Sequence, residues 1–136
     1  MKLSVIMPVH NEVGTLAAVV ERVQSVPLEK EIILVDDAST DGSGEIINQL
    51  GATGLKFVRH AANRGKGAAV RAGLDVASGE VVVVQDADLE YDPHDFVRLI
   101  QPIERGEADV VYGVRTLETQ KAIMRWGNRF VTWVTN

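Results

Sequence analysis

The chain has 136 residues and a formal net charge of −5, from 14 Lys and Arg against 19 Asp and Glu. Hydrophobic residues make up 46% and charged residues 24%, which is typical of one globular domain over residues 1–136 and excludes a disordered tail, a collagen-like fibre and a coiled coil. The acidic balance disfavours a general nucleic-acid-binding protein, and the lack of Cys excludes disulfide scaffolds, Cys–zinc sites and thiol nucleophiles.

Short apolar runs rich in Val and Ile alternate with helical patterns along the chain. Continuous apolar runs predict strands that are covered on both faces, as in a parallel sheet. The predicted strands are 3–7, 32–35, 55–58, 81–84 and 110–114. Helices are predicted over 15–26, 44–50, 67–77 and 93–105, with a last helix from about Glu118 towards the end. This alternation predicts an α/β/α sandwich around a mainly parallel sheet.

The fourth predicted helix has clear boundary signals. Asp92 is placed to cap its first turn, and Pro93 suits the first helical position because that residue needs no intrahelical N–H bond. Pro102 should kink or loosen the final turn, since proline cannot donate a backbone hydrogen bond.

The two ends of the chain bear on location and assembly. The N-terminal apolar run stops at Pro8, too early for a signal peptide, and no stretch reaches the length of a membrane span, so we expect a cytoplasmic protein. Near the other end, Trp126, Phe130, Trp133 and Val134 recur at helical spacing and predict an apolar stripe. We expect self-association, a further segment or a membrane surface to cover it.

Polar side chains follow each predicted strand. The first strand is followed by Pro8, His10 and Glu12, the second by Asp36 and Asp37, the third by Asn63 and Lys66, the fourth by Asp86 and Asp88, and the fifth by Arg115. Open α/β sheets bind ligands at the carboxyl ends of their strands. The pattern therefore predicts one ligand site at this edge of the sheet.

Asp86 and Asp88 are the most informative pair. Two carboxylates two residues apart in an extended segment point to the same side, where a cation between them relieves their repulsion. Mg²⁺ typically takes one or two carboxylates together with substrate phosphates. The alternative is that both are turn or cap residues, which Asp also favours.

The second and third strand ends have similar alternatives. Asp36 or Asp37 can accept hydrogen bonds from ribose hydroxyls or a base N–H, while Ser39, Thr40 or Asp41 caps the next helix and one Asp tightens the turn. Residues 63–67 form a basic, glycine-containing loop that opens a helix, which favours an anion such as phosphate. The alternative is a solvated basic turn. His10 and His60 lie at this edge, and His94 is expected to be exposed.

Four segments in this order resemble glycosyltransferase family 2. They are 4–12 (SVIMPVHNE), 35–43 (VDDASTDGS), 63–67 (NRGKG) and 86–88 (DAD). The continuation DADLEYDP at 86–93, with ADVVYGVR at 108–115, is similar to the branch that contains dolichol-phosphate mannose synthase.

The resemblance implies a GT-A fold that binds a GDP- or UDP-linked sugar. It assigns Pro8, His10, Glu12 and either Asp36 or Asp37 to the base and ribose, Asn63, Lys66, Asp86 and Arg125 to the nucleotide sugar more widely, and Asp86, Asp88 and Glu90 to Mg²⁺ or Mn²⁺. It gives Asp88 and Arg115 the catalytic roles near the diphosphate.

The branch also implies an acceptor and a mechanism. A polyprenyl phosphate attacks the anomeric carbon with inversion, and an ionised phosphate needs no general base. Family members are normally longer, so we expect donor binding with little transfer, or a donor-binding module, and peripheral membrane contact at the cytoplasmic face in the full-length protein. A receiver-type signalling domain and a sugar-phosphate nucleotidyltransferase are the alternative classes.

Overall fold

The computed structural model describes residues 1–51, 55–114 and 129–134. In these residues the strands are β1 (Leu3–Val9), β2 (Lys30–Asp36), β3 (Lys56–Arg59), β4 (Val81–Val84), β5 (Val110–Val114) and β6 (Arg129–Val134). The helices are α1 (Leu16–Ser25), α2 (Ser43–Gly51), α3 (Lys66–Val76), α4 (Phe96–Leu99) and α5 (Gln101–Glu104), with a 3₁₀ turn at Pro93–Asp95 before α4. No described helix is both long and apolar enough to cross a bilayer.

The strands form one sheet in the order β3-β2-β1-β4-β6-β5. The first four strands in that order are parallel, whereas β6 runs antiparallel to both β4 and β5. β5 therefore runs in the same direction as β4, and all five predicted strand ends lie at one edge. The predicted α/β sandwich with a mainly parallel sheet is confirmed.

Two apolar clusters cover the two faces of the sheet. Along β1, Val5, Met7 and Val9 pack with α1 on one face, while Ile6 packs with Ala69 of α3 on the other. All five side chains are fully buried. Since successive side chains of a strand point to opposite faces, this explains why β1 is apolar at nearly every position.

The helix predicted from about Glu118 is wrong for residues 129–134. These residues form β6, which fills the space between β4 and β5 and pairs Trp133 with Val82 and Val110. Pairing with two strands satisfies the backbone of this segment, and it overrides the helical spacing of the apolar residues. The apolar stripe was predicted from helical spacing, but Phe130, Trp133 and Val134 belong to strand β6. Trp126 lies outside the described residues.

The helix predicted over 93–105 is divided. Asp92 accepts a hydrogen bond from the backbone N–H of His94 at 3.0 Å, as expected of a cap. After one 3₁₀ turn, α4 ends at Leu99 and α5 begins two residues later. Pro102 explains the division, because it lacks an N–H and its ring crowds the carbonyl four residues earlier.

Candidate functional site

A cleft opens where β1 and β4 separate. The backbone N–H of Gln85 donates to the Ile6 carbonyl at 2.9 Å at the end of the β1–β4 register. Along a strand, the backbone groups of every second residue face the same neighbouring strand. After Ile6, the next residue of β1 that faces β4 is therefore Pro8. Proline has no backbone N–H to donate, so the pairing with β4 is weakened at this residue. β1 continues to pair with β2, and the backbone N–H of Asp37, directly after β2, donates to the Val9 carbonyl. The gap thus lies at the point where the strand order reverses, the usual ligand position in open α/β sheets.

The cleft has a volume of about 280 Å³. Its walls come from the ends of β1, β2 and β4 and from the first turns of α3. The lining residues are Pro8, Val9, His10, Glu12, Asp37, Lys66, Ala69, Asp86, Ala87 and Asp88. The structure therefore brings together, in one cleft, residues that the sequence assigned to the base, the ribose and the metal.

His10 is held at the cleft by hydrogen bonds on both ring nitrogens. Nδ1 lies 2.9 Å from the Asp37 carbonyl oxygen, which can only accept, so Nδ1 carries the proton. Nε2 is then an acceptor for the Asn63 amide at 3.3 Å and the Asn11 amide at 3.4 Å. Asn63 thus belongs to the site through His10. The imidazole ring is fixed as part of the cleft wall.

Asp37 is buried, at 3% exposure, and organises the loop before α3. Its Oδ1 accepts from Arg64 N at 2.9 Å and from His60 Nδ1 at 2.8 Å, and its Oδ2 accepts from Gly65 N at 2.8 Å. Burial alone would raise the pKa of Asp37, but the hydrogen bonds from Arg64, His60 and Gly65 lower it below its usual value. Asp37 is therefore tightly packed, and its carboxylate holds the backbone of this loop.

Asp36 points away from this cleft. It is 2% exposed, its Oδ1 accepts from Ser39 N at 3.0 Å, and its Oδ2 lies 3.4 Å from Arg59 Nε. It lines a separate cleft of about 420 Å³ with Arg59 and Asn48. Asp36 is therefore the acidic residue that tightens the turn, and the structure separates it from Asp37.

Asp41 caps α2, as one of the sequence alternatives predicted. Its Oδ1 accepts from the backbone N–H of Ser43 at 3.0 Å and from the Ser43 hydroxyl at 2.6 Å, and its Oδ2 accepts from Val13 N at 3.1 Å. The Ser43 hydroxyl bond is the main cause of the lowered pKa of Asp41. This capping joins the loops that follow β1 and β2.

Asp86 and Asp88 flank the buried Ala87 in the turn after β4. The Asp86 carboxylate forms an ion pair with the Lys66 ammonium. Asp88 Oδ1 accepts from the backbone N–H of Glu90 at 3.2 Å. Both Asp residues line the cleft, whereas Glu90 is exposed in the same turn. In the described part of the chain, no three His, Asp or Glu side chains cluster as a metal site.

Two contributors to the cleft had no signal in the sequence. The Thr15 hydroxyl donates to the Ala87 carbonyl at 2.7 Å and holds the acidic turn from 72 residues away. Ala69 lines the cleft one helical turn after Lys66.

Glu12, which the sequence predicted, lies in the cleft, and its backbone N–H donates to Ser43 Oγ at 3.0 Å. Arg115 and Arg125 lie outside the described residues.

The sequence profile of Glycosyl transferase family 2 matches residues 4–133, nearly the whole chain. The chain belongs to glycosyltransferase family 2. This membership excludes the two alternative classes, the receiver domain and the nucleotidyltransferase, because neither belongs to the family.

The names of the curated relatives of this chain contain polyprenyl phosphates. The chain is 34% identical to dodecaprenyl-phosphate galacturonate synthase of Rhizobium johnstonii, covering 100% of this chain and 41% of that protein. It is 35% identical to undecaprenyl-phosphate 4-deoxy-4-formamido-L-arabinose transferase of Pseudomonas fluorescens, covering 95% and 40%. The chain thus spans about two fifths of the length of these relatives.

Solved structures share the GT-A fold with this chain. A Pyrobaculum calidifontis mannosyltransferase in complex with GDP-Man and Mn²⁺ matches 70% of this chain and 30% of its own, with a TM-score of 0.63 and 29% identity. Glucosyl-3-phosphoglycerate synthase of Mycobacterium tuberculosis, with Mn²⁺, UDP and phosphoglyceric acid, matches 80% of this chain and 41% of its own, with a TM-score of 0.67 and 29% identity.

Proposed function

We propose that this chain is the donor-binding part of a glycosyltransferase that moves a sugar from a GDP- or UDP-linked donor to a polyprenyl phosphate. The observation that carries the proposal is that one cleft, at the end of β1, joins His10 and Asp37 on one side to Lys66, Asp86 and Asp88 on the other. A nucleotide sugar needs such a combination, with polar acceptors for the nucleoside and charged groups for the diphosphate. The names of the curated relatives support the polyprenyl phosphate acceptor.

The nucleoside would lie against Pro8, His10, Glu12 and Asp37. Among the described residues, Asp37 Oδ2 accepts one hydrogen bond, which leaves a second lone pair for a base N–H or a ribose hydroxyl. Asp36 faces the other cleft, and this favours Asp37 as the residue that contacts the nucleoside. The small side chain of Ala69 leaves room for the ligand beside Lys66.

The acidic turn suits Mg²⁺ or Mn²⁺. Asp86 and Asp88 offer hard carboxylate oxygens, and the ion pair of the Lys66 ammonium with Asp86 supports a site for positive charge at this point. A bound divalent ion would stabilise the negative charge that grows on the departing nucleoside diphosphate. Asp86 and Asp88 would hold it together with phosphate oxygens, and Glu90 is a candidate for a further contact. Two structural neighbours contain Mn²⁺, which supports this assignment.

The transfer itself would be a single displacement. A phosphate oxygen of the acceptor attacks the anomeric carbon from the opposite side, and the bond from that carbon to the diphosphate oxygen breaks. The electron pair leaves with the nucleoside diphosphate, so the configuration inverts. Lys66 would hold the diphosphate during this step, with Arg115 and Arg125 as further candidates. Because a polyprenyl phosphate is anchored in a bilayer, we propose that the complete protein works at the cytoplasmic membrane face.

Isothermal titration calorimetry tests the donor site. We expect GDP or UDP, and one of their sugar conjugates, to bind more tightly with Mn²⁺ present than with EDTA. AMP serves as the control ligand because it lacks the diphosphate. Equal weak heats for all nucleotides, with and without Mn²⁺, would contradict the proposed function.

A further inference from the structure

Lys66 occupies a defined place beside the acidic turn. It is the first residue of α3, directly after Gly65, whose φ of +92° is readily adopted by glycine. Asp37 holds the backbone of this loop by accepting from the N–H groups of Arg64 and Gly65. The start of the Lys66 side chain is therefore fixed, and its flexible stem reaches across the cleft to Asp86.

The ion pair of Lys66 with Asp86 stands where a divalent ion would bind. The ammonium pairs with Asp86 Oδ1, and both side chains are accessible, at 60% exposed for Lys66 and 33% for Asp86. A divalent ion on the same carboxylate would be repelled by the ammonium. The two cations therefore compete for Asp86, although both are attracted to it.

We propose that Lys66 is a displaceable counter-ion of Asp86 that weakens cation binding until a diphosphate is present. When a nucleoside diphosphate enters, its negative charge offers the ammonium a second partner in the same cleft, and the four-carbon stem lets Lys66 turn to it. Asp86 is then free for the divalent ion. This proposal rests on the proposed function, and it adds that Lys66 couples cation binding to diphosphate binding.

Coupling between two ligands is reciprocal, so it can be measured from either side. The wild-type chain should bind Mn²⁺ weakly alone and more tightly with UDP or GDP. Replacing Lys66 by Met removes the competing charge and the phosphate partner together. The variant should therefore bind Mn²⁺ alone more tightly, bind the nucleotide alone more weakly and show a smaller enhancement of either ligand by the other.

The test measures free Mn²⁺ by electron paramagnetic resonance, which requires no turnover. We expect Lys66→Met and Lys66→Gln to raise the affinity for Mn²⁺ alone by about 5- to 10-fold, within the usual range of coupling between sites. Arg71→Met is the matched control, because it removes one positive charge from an exposed position on the same helix. Thermal melting monitored by circular dichroism checks that each variant is folded.

The outcomes separate this proposal from the proposed function. Equal Mn²⁺ affinity in wild type and both Lys66 variants, while UDP or GDP still enhances Mn²⁺ binding, would overturn the role of Lys66 alone. An equal rise in Arg71→Met would also overturn it, because the effect would then reflect net charge. If wild type binds no Mn²⁺ even with UDP or GDP, the metal assignment in the proposed function fails as well.

Discussion

Asp86 and Asp88 are the residues on which cation-dependent binding should depend. They supply the two carboxylates of the cleft that lie nearest to each other in sequence, in the turn after β4. Replacing both by Ala should weaken the binding of UDP or GDP in the presence of Mn²⁺ by about 2–3 kcal/mol, because the ion would lose both of its carboxylate ligands from the protein. This corresponds to roughly 30- to 150-fold in affinity and is measurable by calorimetry.

The control for that variant removes the same charge elsewhere. Asp75 and Asp95 are exposed, and Asp95 pairs with Arg98 on the surface. The double change of Asp75 and Asp95 to Ala should leave the nucleotide affinity unchanged. Undiminished Mn²⁺-dependent affinity in Asp86→Ala/Asp88→Ala would rule out the metal assignment.

Asp37 should matter for stability as well as for binding. Asp37→Ala would leave the N–H groups of Arg64 and Gly65 and the ring of His60 without their acceptor, which should lower the free energy of unfolding by about 2–4 kcal/mol. Chemical denaturation measures this loss. Because Asp37 is buried, its replacement should affect folding as well as nucleotide binding.

The contribution of Asp37 to the free energy of unfolding should decrease at acid pH. The folded-state pKa of Asp37 lies below the unfolded value, so the carboxylate stabilises the fold above about pH 4 and the stabilisation is lost as the pH falls through the folded pKa. The stability gap between wild type and Asp37→Ala should therefore narrow below pH 4. Asp75 is exposed, so Asp75→Ala should have the same free energy of unfolding as wild type at each pH. If Asp75→Ala lost as much stability as Asp37→Ala, the structural role of Asp37 would be contradicted.

At the scale of elements, α3 packs closely on β1 through a glycine. A Cβ on Gly73 would lie 2.5 Å from Ile6 Cγ2, which is shorter than any normal contact. Gly73→Ala should therefore lower the free energy of unfolding by about 1–3 kcal/mol through overpacking. Thermal melting followed by circular dichroism measures the change.

Gly67 offers a matched control on the same helix. A Cβ there would meet nothing within 4 Å, so Gly67→Ala should leave stability unchanged or raise it by about 0.4–1 kcal/mol. Equal losses in the two variants would mean that helix α3 does not rest on Ile6 as described. The close contact also explains how α3 brings Lys66 and Ala69 to the cleft.

At the scale of the whole molecule, Glu31 ties the amino ends of the strands together. It accepts from the Ser4 hydroxyl and the Ser78 amide, and it forms an ion pair with Lys56 at 2.7 Å. Burial alone would raise the pKa of Glu31, but the bonds to Lys56, Ser4 and Ser78 lower it from 4.5 to about 2. This network lies at the opposite end of the parallel strands from the cleft.

Glu31→Gln should therefore affect stability without affecting the site. The free energy of unfolding at pH 7 should fall by about 1–3 kcal/mol. Because the folded-state pKa of Glu31 is the lower one, this difference should shrink as the pH drops from 4.5 towards about 2. Urea denaturation at several pH values measures it, with the exposed Glu21→Gln as the control. A loss of nucleotide affinity in a folded Glu31→Gln would contradict the separation of the two ends.

The sequence by itself determined the fold class, five of the six described strands and the family. The bounds predicted for 81–84 and 110–114 agree with β4 and β5, because continuous Val-rich runs are local signals of buried strands. The polar residues after β1, β2 and β4 could be assigned to one edge, since parallel strands end together. The capping roles of Asp41 and Asp92 were also readable, because capping involves residues close in sequence.

Only the tertiary structure decided which of these residues meet. Asp36 and Asp37 are adjacent in sequence, yet they face different clefts, because the turn after β2 directs one towards Arg59 and the other towards the loop before α3. The Lys66–Asp86 pair and the strand β6 likewise depend on distant segments that the fold brings together. Such contacts join residues tens of positions apart, and local patterns of polarity and spacing contain no signal for them.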